Sequence, residues 1–184
     1  MLERLDAAAI RRWCEAGLDA LRRHQREIDE MNVYPVPDGD TGTNLVLTVS
    51  SAQRALAAEP DEPYESDESD APGGPGGPGG PDQAEAGADT DYTPLGRVLR
   101  CMARGALLGA RGNSGVILSQ LLRGIADALA AAPEARGRQV AGALAVAADA
   151  GYAAVAEPVE GTVLTVARAA ATAAADADSD ELAT

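Results

Sequence analysis

The sequence predicts an all-α fold, a barrel or bundle of antiparallel amphipathic helices, from three observations. Apolar residues recur at helical spacing in segment after segment. Aromatics make up only 3% and Phe is absent, so the core must be built from Leu, Val, Ile and much Ala, a residue that favours helices and lets them pack closely. No segment shows the strict alternation of a half-buried strand.

The elements follow in order. Leu2 to Ile28 reads as a long helix with Leu2, Leu5, Trp13, Leu18, Leu21 and Ile28 on one stripe. Pro35 and Pro37 force an extended loop. A second helix starts near Asp40–Thr43 and runs to Ala58, with Leu45, Val49, Ala52 and Leu56 as its core stripe. Residues 59–93 contain PGGPGGPGGP and ESDESD; such a segment cannot bury enough apolar surface to offset its ordering entropy, and it reads as a disordered acidic insertion. From Pro94 the chain is helical again, with Leu95, Val98, Leu99, Met102 and Ala106 on one face up to a break at Gly109–Gly112. Asn113–Ala132 carries apolar Val116, Ile117, Leu121 and Leu129; Arg138–Ala156 is Ala-rich; Gly161–Asp176 follows Pro158. Residues 1–58 and 94–184 are thus two parts of one helical domain, and short loops imply antiparallel neighbours.

Charge excludes more than it assigns. Eleven carboxylates in residues 59–91 and four more at Asp176, Asp178, Asp180 and Glu181 account for the net charge of −14, and the remainder is near neutral. No basic stripe appears, so nucleic-acid binding is not expected. All fifteen basic residues are Arg; without Lys, neither a Walker A loop nor the protein-kinase pattern can be built. No run approaches the ~20 apolar residues of a membrane span, and charges interrupt the opening MLERLDAAAIRRW where a signal peptide needs its apolar stretch, so the expectation is a cytoplasmic chain. Cys14 and Cys101 read as buried thiols, since His24 is the only histidine and no ordinary zinc set exists. His24 reads as a packed or surface residue, and Arg22, Arg23 and Arg26 as a solvated face.

Three segments carry chemistry. In Asn32–Asn44, Asp38 and Asp40 flank one glycine, and two carboxylates this close repel unless a cation sits between them. Hard oxygen ligands suit Mg²⁺. Gly39 permits the turn, and Thr41, Gly42, Thr43 and Asn44 open a helix whose free N–H groups favour an anion. An Asx turn capping a helix is the plain alternative. A calcium-binding EF-hand does not fit, because Val49 stands where its final Glu belongs. The second segment, Gly109 to Gly115, offers Arg111, Gly112, Asn113, Ser114 and Gly115 as phosphate contacts; a capped interhelical turn is the alternative. The third, Pro158 to Thr165, reads as a helix start, with a weaker nucleotide-edge role for Gly161 or Thr162.

Together, NVYPVPDGDTGTN, GALLGARGNSGVILSQLLRG and PVEGTVLTV resemble the N-terminal domain of bacterial fatty-acid kinases, which is similar to the nucleotide-binding L subunit of dihydroxyacetone kinase (DhaL-like). The resemblance covers nearly all of the chain outside residues 59–93. It implies a helical barrel with ATP or ADP at one end, Mg²⁺ held by Asp38 and Asp40, and phosphate or metal-bound water on Thr43 and Asn44. Dihydroxyacetone-type members carry a third Asp where this chain has Val33, and the resemblance leaves Asn32 as a substitute ligand. It also implies an ATP-dependent kinase making an acyl phosphate with a DegV-type fatty-acid-binding partner and further C-terminal domains. A dihydroxyacetone-type domain, or a nucleotide-binding module without kinase activity, is the alternative; a homodimer is left open. The family domain continues with a VDAGG-like turn and another helix past the point matching Thr184, which implies a C-terminally incomplete domain.

Overall fold

The computed structural model describes residues 4–31, 39–59 and 92–177. Among them are six helices: α1 (Ala7–Met31), α2 (Thr41–Ala58), α3 (Pro94–Leu108), α4 (Gly112–Leu129), α5 (Gly137–Ala153) and α6 (Val163–Asp176). Each packs antiparallel on the next, α2 also packs on α4, and α1 on α3. The first four helices form a compact group, and α5 and α6 extend it from α4. The all-helical bundle is as the sequence predicts. The described helices do not close a barrel, because α6 shares no substantial interface with α1.

Local chemistry sets the helix starts. Asp6 Oδ1 accepts the Ala9 N–H at 2.7 Å and caps α1. The chain ahead of it is extended rather than helical: Leu5 and Ala135 exchange two backbone hydrogen bonds of 2.8 and 2.9 Å, and Arg4 pairs with Glu134. Thr93, which the sequence reading gave to the insertion, is the N-cap of α3. Its hydroxyl accepts from Gly96 N–H at 3.0 Å and donates to Ala132 O at 2.6 Å, while Pro94 occupies the first helical position. The rest of the predicted insertion, residues 60–91, lies outside the described residues.

The core follows the predicted face of α3 closely: Leu95, Val98, Leu99, Met102 and Ala106 are all buried. Elsewhere the buried stripes are offset from the expected ones. On α1 they run through Ile10, Cys14 and Leu18, and Trp13 is exposed. On α2 they run through Asn44, Thr48, Ala52 and Leu56, one position before Leu45 and Val49. On α4 they run through Gly115, Ser119, Leu122, Ala126 and Leu129, and Val116 is exposed. On α2 and α4 the offset follows from close approach. Small and polar residues face the neighbouring helix where two backbones approach: a Cβ on Gly105 would lie 2.6 Å from Ala55 Cβ, and one on Gly124 2.6 Å from Ala147 Cα. Close helix approach then outweighs the apolar count of a face.

Candidate functional site

The directions of the helices bring three junctions to one end of the bundle: α1 to α2, α3 to α4, and α5 to α6. At the first, Gly39 has φ +63°, a left-handed conformation that a side chain would strain. Gly42 presses against α1 so closely that a Cβ would lie 2.3 Å from Gln25 O. That approach brings Asp29 of α1 to the first turn of α2. Asp29 Oδ1 accepts the Thr43 N–H at 3.1 Å, and Oδ2 accepts the Thr43 hydroxyl at 2.9 Å. Gln25 Nε2 donates to the same Thr43 oxygen at 2.9 Å. Asp40 stands at the N-cap position, partly buried, and among the described residues its carboxylate makes no capping hydrogen bond.

The second junction sits against α2. Gly112 has φ +58°, and a Cβ there would lie 2.3 Å from Asn44 Nδ2. A Cβ on Gly115 would lie 2.5 Å from Thr48 Oγ1, and one on Gly109 2.1 Å from Ser51 Cβ. Thr48 is fully buried; its hydroxyl donates to Asn44 O at 2.7 Å and accepts the Arg111 N–H at 3.3 Å. One hydroxyl therefore ties the loop before α4 to the first turns of α2.

Two helix N-termini consequently meet with their dipoles aimed the same way. Neither first turn contains an acidic residue. The N–H groups of Thr41 and Gly42 on α2, and of Gly112, Asn113 and Ser114 on α4, have no hydrogen-bond partner among the described residues. Between the two termini lies Asn44, 8% exposed, and its side-chain amide has no hydrogen-bond partner among the described residues. No side-chain nitrogen or oxygen among the described residues is both fully buried and unpaired, so the Asn44 amide keeps an opening to solvent between the two termini. The arrangement suits an anion rich in oxygen acceptors.

The structure thus joins Thr41, Gly42, Thr43 and Asn44 with Gly112, Asn113, Ser114 and Gly115. It changes several individual readings. Gly42 and Gly115 are buried and allow helices to approach; the Thr43 hydroxyl is already engaged by Asp29 and Gln25; the Arg111 guanidinium turns back to Ala110 O at 3.0 Å. Gly161 and Thr162 lie at the same end but serve α6: the Thr162 hydroxyl accepts from Leu164 N–H at 3.3 Å, and Gly161 N–H donates to Thr165 Oγ1 at 2.9 Å. Asn32 and Asp38 lie outside the described residues, so Asp40 is the described member of the expected carboxylate pair. His24 is exposed and bonded to Glu27 at 2.9 Å. Arg22, Arg23 and Arg26 are exposed as expected, and they line a groove shared with Asp29 and Gly39.

Two residues escaped the sequence reading. Thr48 was hidden in a stripe assigned one position later, although Asn44 and Thr48 four apart are a polar pair on an otherwise apolar helix face. Asp29 sat at the end of a long helix with nothing in its own neighbourhood to mark it. Both contacts join residues at least fourteen apart in sequence.

Residues 82–184 match the DAK2 domain family. The chain is 37% identical over 167 residues to Protein YloV of Bacillus subtilis, covering 91% of this chain and 25% of that protein. It is 36% identical over 174 residues to an uncharacterized protein of Staphylococcus saprophyticus, covering 95% of this chain and 26% of the relative. An uncharacterized protein of Staphylococcus haemolyticus is 37% identical over 158 residues, 86% of this chain and 23% of that one. The chain spans about a quarter of the length of these relatives. With its helical architecture and these matches, the chain belongs to the DAK2 domain family, a kinase-associated family of DhaL-like helical domains.

Proposed function

We propose that this chain is the Mg²⁺–nucleotide site of an ATP-dependent kinase. The observation that carries the reading is the meeting of two helix N-termini without side-chain caps, with the Asn44 amide between them. A polyphosphate supplies acceptor oxygens for the amide and for the five N–H groups that have no partner among the described residues. Asp40, with Asp38 and Asn32 from the loop, would hold Mg²⁺, whose charge offsets that of the phosphates when bound.

The chain's own residues then position rather than react. Thr41, Gly42, Gly112, Asn113 and Ser114 orient phosphate oxygens through backbone donors fixed by two helices. Thr48 keeps the two termini in register. Phosphoryl transfer asks chiefly for such placement and charge neutralisation, and no protein nucleophile is needed. The acceptor we favour is a fatty-acid carboxylate presented by a DegV-type binding partner, giving an acyl phosphate. The wording of PVPDGDTGTN and GARGNSGV supports it over dihydroxyacetone.

Calorimetric titration of ATP and ADP, with and without Mg²⁺, tests the reading on the wild type, on Asp38→Asn with Asp40→Asn, and on Asn44→Ala. Binding should require Mg²⁺, vanish in the double variant and weaken at least ~10-fold in Asn44→Ala, the scale of a lost charge-assisted hydrogen bond. A wild type that is folded by circular dichroism and silent toward both nucleotides refutes it. Acyl phosphate formation by the parent kinase with a fatty-acid-loaded partner tests the acceptor.

A further inference from the structure

We infer that Asp29 is a positioning residue that makes this site select metal-bound over metal-free nucleotide; the inference rests on the proposed nucleotide site. Asp29 belongs to α1, yet its carboxylate spends both oxygens on Thr43, one on the N–H and one on the hydroxyl, at 3.1 and 2.9 Å. Gln25 fixes the same hydroxyl from the other side at 2.9 Å. Thr43 is therefore withdrawn from ligand recognition: its hydroxyl proton points to Asp29, and its N–H is taken. Phosphate is left with the Thr41 and Gly42 N–H groups of α2, one or two residues nearer Asp40 and the loop glycine Gly39.

The second consequence is electrostatic. A helix N-terminus carries roughly half a positive charge, and a carboxylate bonded to its first turn cancels much of that attraction. Asp29 thus stands as a fixed negative charge on the α2 side of the anion site, in addition to Asp40. A free nucleoside triphosphate meets repulsion there. A metal-bound one brings a cation that the same carboxylates attract. The α4 terminus and the Asn44 amide keep the affinity for phosphate, because no acidic residue lies in the α4 first turn. The carboxylate of Asp29 is the right length to do this from a neighbouring helix, and Gly42 allows the approach.

The test compares the ratio of metal-free to Mg²⁺-bound ATP affinity in the 184-residue wild type, Asp29→Asn and Asp29→Glu, by calorimetry in EDTA and in Mg²⁺, with thermal melts beside each. Asp29→Asn should tighten metal-free ATP roughly 2- to 5-fold, the scale of one charge at a helix N-terminus, and so raise the ratio; Asp29→Glu, which keeps the charge, should restore it. A purely structural role would weaken both forms alike and leave the ratio fixed. Where Asp29→Asn does not fold, Asp29→Ser gives the same readout, being neutral with an oxygen acceptor. An unchanged ratio in a folded neutral variant, with wild-type Mg²⁺–ATP binding intact, overturns the inference and leaves the nucleotide site standing. No binding by folded wild type overturns both.

Discussion

Replacing Gly115 with Ala separates two effects of opposite sign. Gly115 lies in the first turn of α4 with ordinary helical backbone, so Ala alone would stabilise the helix by about 1 kcal/mol. The added Cβ would, however, stand 2.5 Å from Thr48 Oγ1 and 3.4 Å from Ala110. Thr48 is fully buried and cannot swing away without releasing Asn44 O and the Arg111 N–H. Forcing an extra methyl into such a contact costs about 1–3 kcal/mol, and losing the hydroxyl's bonds about 1 kcal/mol more. Steric cost exceeds propensity, and the net expectation is a loss of about 1–3 kcal/mol, read as a lowered urea midpoint with unchanged slope. Adding Thr48→Ala removes the obstruction, so the double variant should be more stable than the two single losses add up to, by about 1–2 kcal/mol of coupling. Gly115→Ala as stable as wild type, or a pair of substitutions that simply adds, would refute the close approach of α4 to α2.

Two further predictions test other parts of the structure. Thr93→Ala should cost about 1 kcal/mol in chemical denaturation, because it removes the cap of α3 and the tie to Ala132 O together. Burial first, then the Glu59 carboxylate, push the Cys101 thiol up from 9.0 to about 11, so a folded-state pKa raised above the unfolded one favours the protonated form. That stability is complete below pH 9 and is lost as pH rises toward 11, so Cys101→Ser should flatten the alkaline limb of a stability profile, and alkylation of Cys101 at pH 8 should be slower than that of a free thiol.

The helices were legible because each repeats its pattern locally. Pro94, Thr93 and the apolar face of α3 lie within fifteen residues of one another, and the α3 prediction held residue by residue. The stripes of α2 and α4 were displaced because apolar periodicity cannot see that Thr48 and Gly115 meet: a polar residue and a glycine both look like surface until the opposite backbone is present. The candidate site shows the same division. Its glycines and its Thr-Gly-Thr-Asn run could be read, since turn geometry and helix starts are written in short spans. What could not be read was which group each donor would meet. Thr43 turned to Asp29 rather than outward, and Arg111 turned back on its own loop. Extended backbone at Leu5 was likewise invisible, because its partner is Ala135.

The connection between α2 and α3 leaves at Glu59 and returns at Tyr92. α2 has eighteen residues and begins at the candidate site, which puts Glu59 about 27 Å from it. The bundle is therefore a handle with its grip away from its working end. A fluorescent protein or affinity tag spliced into this connection would ride on the far rim, where loop length costs little.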